Sequence, residues 1–191
     1  MAAQHQPAPD VLRALVEEST RKSSVIWLRY GDLERARPAW HVWHEGAACV
    51  VVAGPDDDHP SGRPGETEQH LPGLADADTA VVTCRAKDSR ARLVTWQARV
   101  GHLTPRTPEW EATAAALAGD RLNATDAARL LERWSVSDTI LRLTPTGEIL
   151  EEPGRMPTDD TAAPPPDSPA TTTERLPWVV HKRPRGRPRL S

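Results

Sequence analysis

The residues best suited to chemistry stand at the end of the chain. The run His181-Lys182-Arg183-Pro184-Arg185-Gly186-Arg187-Pro188-Arg189-Leu190-Ser191 carries five positive charges and no acid. Pro184 and Pro188 hold the backbone near an extended polyproline path that joins neither a helix nor a central strand, so the segment stays narrow. Gly186 removes the one side chain that would keep the backbone off the floor of a groove. Arg185 and Arg187 can then run in opposite directions along a narrow A·T minor groove, where the negative potential is deepest and no guanine amino group intrudes. Lys182, Arg183 and Arg189 are left for the flanking phosphates.

Prolines flanking Arg-Gly-Arg, with further cations outside them, are more specific than a generic basic run. The stretch Lys182–Arg189 resembles the AT-hook of chromatin and nucleoid-associated proteins, and the resemblance implies A·T-rich double-stranded DNA as a partner. The plain alternative is a solubilising basic end in a chain rich in Arg, where Arg outnumbers Lys 21 to 3. Charge distribution favours the hook. The chain is net −3 and residues 178–191 contribute +5, so residues 1–177 sum to −8 and offer nothing else to nucleic acid.

The elements that must carry this tail divide in two. Residues 151–177 hold seven prolines, six acids and only two bases, a composition that cannot offset its ordering entropy and reads as a disordered linker. Its reach is about 80 Å extended and nearer 30 Å as a flexible coil. Residues 1–150 suffice for one domain. Met1–Pro9 lacks the regions of a signal peptide, and no apolar run approaches the roughly 20 residues that span a bilayer. A cytoplasmic protein, associated with the nucleoid through its tail and without a membrane partner, is expected. Cys49 and Cys84 form no Cys-x-x-Cys pair, so neither a disulfide framework nor a zinc site is indicated.

Within the domain, apolar spacing predicts a helix over 9–22. Strands follow at 24–30, 37–45 and 47–53, the last two joined by a Glu45-Gly46 hairpin turn. A second hairpin pairs 80–87 with 93–103, and helices follow at 108–122 and 125–134. A last strand, 139–144, ends at Pro145-Thr146-Gly147. The expected class is mainly β with α, a small split barrel with helices packed outside.

His41 and His44, three positions apart on a strand, point to opposite faces and exclude a shared metal ion, so no metal is expected. The alternation places Trp40, Val42 and His44 on one face and His41, Trp43 and Glu45 on the other. The acidic run Asp56-Asp57-Asp58-His59 reads as a solvated loop. No spacing ties Ser, His and Asp into a nucleophile and base, so catalytic residues stay unknown.

The order of helix, Arg-Pro-Ala-Trp-His-Val-Trp-His-Glu-Gly hairpin, loop, Leu93-Val94-Thr95-Trp96-Gln97-Ala98 hairpin, helices and strand resembles the FMN-binding split barrel of pyridoxamine-phosphate-oxidase-like proteins over about Ser23–Thr144. The likeness includes Glu68-Gln69-x-Leu71-Pro72-Gly73-Leu74 and Arg121-Leu122-Asn123. It implies a homodimer holding FMN at the subunit interface, with the flavin supplying redox chemistry. Many such proteins place a cation and an Asn where this chain has Thr67-Glu68-Gln69-His70, and Glu68 would repel a phosphate there. Arg85 and Lys87, two positions apart and so on one strand face, are the best substitute phosphate ligands; the alternative is a solvated strand end before a turn, and with it a barrel without its cofactor. Two functions follow from the resemblance: a DNA-associated barrel, or a flavin-dependent oxidoreductase whose basic tail is incidental.

Overall fold

The computed structural model describes residues 9–54, 68–121 and 127–157, all within a unit that ends at Pro157. The tail Lys182–Arg189, the linker from Thr158 onward, Asp56–His59, Thr67 and Leu122-Asn123 lie outside the described residues. α1 (Pro9–Lys22) forms where the periodicity predicts it, with Val16, Ser19 and Thr20 buried at helical spacing. The Thr20 hydroxyl is satisfied by donating to the Val16 carbonyl at 2.7 Å.

Seven strands follow: β1 (Ile26–Tyr30), β2 (Arg37–Ala39), β3 (Val42–His44), β4 (Ala47–Val52), β5 (Thr79–Arg85), β6 (Arg92–His102) and β7 (Thr139–Glu151). They make one antiparallel sheet in the order β2-β1-β5-β6-β7-β4-β3. The two edge strands are therefore consecutive in the chain, separated only by Trp40 and His41. A flat seven-stranded sheet would hold its edges about 29 Å apart at ~4.8 Å per strand. Three peptide steps from Ala39 to Val42 reach roughly 11 Å at most. The sheet must curl, and the result is a split barrel.

The seam has a specific wedge. Val42 pairs with Cys49, so the same register would go on to pair His41 with Val50 and Trp40 with Val51. Gln69 stands there instead. Its side-chain carbonyl accepts from the Trp40 N–H, and its NH2 donates to the carbonyls of Trp40 and Val51, each at 3.0 Å. Its own carbonyl accepts from Ala53 N at 3.0 Å. One side-chain amide thus replaces a rung of ladder and frees β2 to pair with β1. For this reason the strand expected over 37–45 is interrupted.

The barrel encloses a core of Ile26, Leu28, Val50, Val82, Val94, Trp96, Leu141 and Leu143, with Leu71 and Leu74 entering from the preceding loop. Leu71-Pro72-Gly73-Leu74 is a type II turn in all but name: Leu74 N donates to Leu71 O at 3.2 Å and Gly73 has φ +81°. A second core lies outside β4 and β7, where Cys49, Val51 and Ile140 meet α2 (Pro108–Asp120) and α3 (Ala127–Val136) through Trp110, Leu117, Leu130 and Trp134. α2 starts at Pro108 because the Thr107 hydroxyl accepts from Trp110 N and proline's missing N–H costs nothing at the first position. β4 alternates between the two cores and all six of its residues are buried.

The last strand does not end at Thr144 but runs on to Glu151. Between the pairs Ala98↔Pro145 and Trp96↔Ile149, β6 spends one residue and β7 three. Thr146-Gly147-Glu148 is thus a bulge, braced by Thr146 Oγ1 donating to Gln97 O at 3.1 Å, with Gly147 at φ +92°. Beyond it Glu151 binds Arg92 at 2.7 Å and accepts from Thr95 Oγ1 at 2.6 Å.

Candidate functional site

The bulge opens a groove of about 810 Å3 between α1, the β3–β4 turn and β7. Trp43 and the almost fully buried Trp96 are its aromatic lining residues, ring centroids 6.3 Å apart and planes at 81°, an edge-to-face pair. Leu12 and Val16 of α1 and Ile149 of β7 add apolar surface, and Asp10, Arg13 and Glu148 stand among the lining groups. The turn that borders the groove is the Glu45-Gly46 hairpin expected from the sequence, with φ +45° and +79° at its two residues. Size, concavity and aromatic lining are those of a small-molecule site.

The strand alternation places Trp43 as expected. Trp43 packs on the barrel core, while Trp40 and Val42 pack on the second core against the helices. His41 is buried and its Nε2–H donates to Thr20 O at 2.9 Å. Burial pushes its pKa below the ordinary value, partly opposed by that hydrogen bond, so the ring is neutral at physiological pH. Cys49 and Cys84 are free, buried thiols, one in each core. Burial drives the Cys49 pKa up to about 12 and raises that of Cys84, so neither is a nucleophile at neutral pH.

Arg85 and Lys87 stand elsewhere. β5 ends at Arg85, after a register shift at Cys84/Arg85, and Lys87 lies in the following turn rather than on the strand. The Arg85 guanidinium lies over the Trp27 ring, 5.3 Å from its centroid. The Arg85 carbonyl accepts from Ser23 Oγ at 3.0 Å, which fixes it beside the C-terminal end of α1. The groove borders the N-terminal half of that helix, from Asp10 to Val16, whose near end is about 10 Å from Ser23 at 1.5 Å per residue. Neither cation is among the groove's lining groups.

Glu68 is the residue whose expected place needs correction. Instead of facing a ligand phosphate, its side chain is 2% exposed and turned into the second core. There Oε1 accepts from Arg121, from Arg133 at 2.5 Å and from the Trp134 indole N–H at 2.9 Å. Its charge is thus neutralised by two guanidiniums. Arg133 also pairs with buried Asp138 at 3.5 Å. The sequence motifs around Glu68 and Arg121 are two halves of one ion network that staples the loop to α2 and α3.

Among the described residues no group of three or more His, Cys, Asp or Glu is placed to hold a metal ion, and no helix is long and apolar enough to cross a membrane.

No family model matches the chain, and no curated protein matches it. Solved structures align with it more loosely. HutZ, the heme storage protein of Vibrio cholerae, aligns at TM-score 0.46 and 14% identity, over 72% of this chain and 92% of that one. A candidate pyridoxamine 5'-phosphate oxidase from Listeria innocua aligns at TM-score 0.44 and 14% identity, over 74% and 97%. A heme binding protein from Mycobacterium smegmatis aligns at TM-score 0.44 and 19% identity, over 72% and 51%. The chain is similar to these proteins, while its own split barrel is established by its strand order and its seam.

Proposed function

We propose that the barrel is a small-molecule-binding domain whose groove takes a planar ring ligand. The observation that carries this reading is the edge-to-face Trp43–Trp96 pair in a groove of about 810 Å3. A ring seated there would stack on an indole and exclude water from it. The isoalloxazine ring of FMN fits such a space. Its phosphate does not fit: the one cation among the described lining residues, Arg13, is accompanied by Asp10 and Glu148. Arg85 and Lys87 stay candidate phosphate ligands only for a flavin bound away from the groove. No reaction step is assigned to a flavin on these grounds.

Riboflavin, the uncharged ring, is the probe of choice, with its fluorescence anisotropy as the readout. Binding should be detectable below about 100 μM, the concentration that corresponds to roughly −5.5 kcal/mol. Trp43→Ala should weaken it at least tenfold. No binding at that concentration, or equal affinity for parent and variant, removes the ring-binding reading.

A second reading rests on the tail sequence: Lys182, Arg183, Arg185, Arg187 and Arg189 around Gly186 tether the barrel to A·T-rich DNA, and a homodimer would present two such hooks with the avidity of linked sites. A·T-rich duplex should then be preferred over G·C-rich duplex, with log K falling against log salt at a slope near −4. Arg185→Ala, Arg187→Ala and Gly186→Val should each reduce the preference, whereas Lys182→Ala should weaken both duplexes alike. Equal affinity of the parent protein for the two duplexes would reduce the tail to a generic basic end.

A further inference from the structure

Several glutamates elsewhere on the barrel are matched to cations, Glu17 with Arg21, Glu18 with Lys22, Glu109 with Arg142, Glu132 with Arg106 and Glu151 with Arg92, whereas Glu34 and Glu111 are not matched among the described residues. Asp10, Arg13 and Glu148 line the groove without a side-chain hydrogen bond or ion pair to any described residue. Two free carboxylates against one free guanidinium leave the lining with a net charge of −1. The surrounding domain has the same sign, since residues 1–150 sum to −4 (the −8 of residues 1–177 less the −4 of residues 151–177).

The aromatic pair points the same way. An indole face carries negative quadrupole density and attracts a cation placed over it. A positive group on a ring resting against Trp43 would gain from that face and from both carboxylates. An anionic group would meet repulsion from all three, with Arg13 alone to offset it. We propose that the groove selects a planar aromatic ligand carrying a positive charge and discriminates against anionic rings, phosphorylated flavin included. The proposal rests on the ring-binding reading above and adds the ligand's charge to it.

Two planar dyes of opposite charge test it on the full chain: thioflavin T, a cation, and 1-anilinonaphthalene-8-sulfonate, an anion, each followed by its fluorescence gain at equal ionic strength. Thioflavin T should bind at least tenfold more tightly. The double variant Asp10→Asn, Glu148→Gln should lose at least tenfold for thioflavin T and narrow the gap between the dyes, while Arg13→Gln should widen it. Trp43→Ala should weaken whichever dye occupies the groove. Equal or tighter binding of the anionic dye, abolished by Trp43→Ala, would overturn the charge selection and leave the ring-binding site standing. Binding of both dyes unaffected by Trp43→Ala, or of neither dye, would overturn the ring-binding site and the charge selection together.

Discussion

Glu68→Ala should lower the melting temperature by roughly 6–20 °C. The reason is the state in which the substitution leaves its neighbours. Arg121 and Arg133, with side chains 15% and 29% exposed, converge on a carboxylate that is 2% exposed. Arg121 also lies over the Trp134 ring, 6.0 Å from its centroid, so its position is fixed from a second side. Without the carboxylate, Arg121 loses its counter-charge, Arg133 is left with Asp138 alone, and a buried indole N–H loses its acceptor. Breaking one partner out of a buried pair costs about 3–5 kcal/mol. A degree scale of about 2–4 °C per kcal/mol for a domain of this size gives the stated range. Glu68→Gln keeps an acceptor for Trp134 but no charge for the arginines, and should fall between parent and Ala variant. A thermal melt of Glu68→Ala within about 2 °C of the parent would show that the network contributes little and that the charges are solvated after all.

Gly54→Ala should be nearly as damaging, although it adds a single methyl group. A Cβ at Gly54 would sit 2.0 Å from the carbonyl oxygen of Ser137 and 3.2 Å from its carbonyl carbon. The obstacle is backbone, held by the Ser137 N–H donating to Arg133 O at 2.9 Å at the end of α3. No rotamer change relieves it, so either the end of β4 or the end of α3 must move. Overpacking of this kind costs about 1–3 kcal/mol and more where backbone must shift. Gly54→Val should exceed Gly54→Ala. Gly119→Ala is the internal control: it lies in α2 with nothing within 4 Å of the added carbon. It should stabilise by about 0.5 kcal/mol through helix propensity and a less free unfolded chain. Urea midpoints with unchanged m values would measure all three. A midpoint for Gly54→Ala at or above the parent's would refute the close approach.

Glu68 and its neighbour Gln69 show what could and could not be read ahead of the fold. Local signals were legible: the helix over 9–22 that forms α1, the Pro108 start of α2, and Glu45-Gly46 as a hairpin turn all rest on forces acting within a few residues. Pro145-Thr146-Gly147 was legible only in part. Its residues favour a turn, and the chain does bend there, but pairing with β6 on both sides converts the turn into a bulge within a longer strand. The interruption at Trp40 was not legible at all, because the agent is the side chain of Gln69, 29 positions away. Glu68 was misjudged for the same reason: its partners Arg121 and Arg133 are 53 and 65 positions distant. The groove shares this limit, since its two tryptophans sit on β3 and β6 and its mouth on α1 and β7. What the chain placed together through pairing and side-chain contacts, no local pattern announced.

β4, the strand with both faces buried, sets a condition on how the protein is made. Its ladder partner on one side, β3, precedes it directly, but on the other side Val52 pairs with Thr139, 87 positions later. At about 5–20 residues per second, synthesis leaves that edge unpaired for roughly 4–17 s. During this interval Ala47-Ala48-Cys49-Val50-Val51-Val52, without a charge or a proline among them, has β3 on one edge but lacks β7 on the other. The nascent chain therefore carries this aggregation-prone segment with one edge unpaired while close to half of its residues are made, and the arrival of β7 closes that edge.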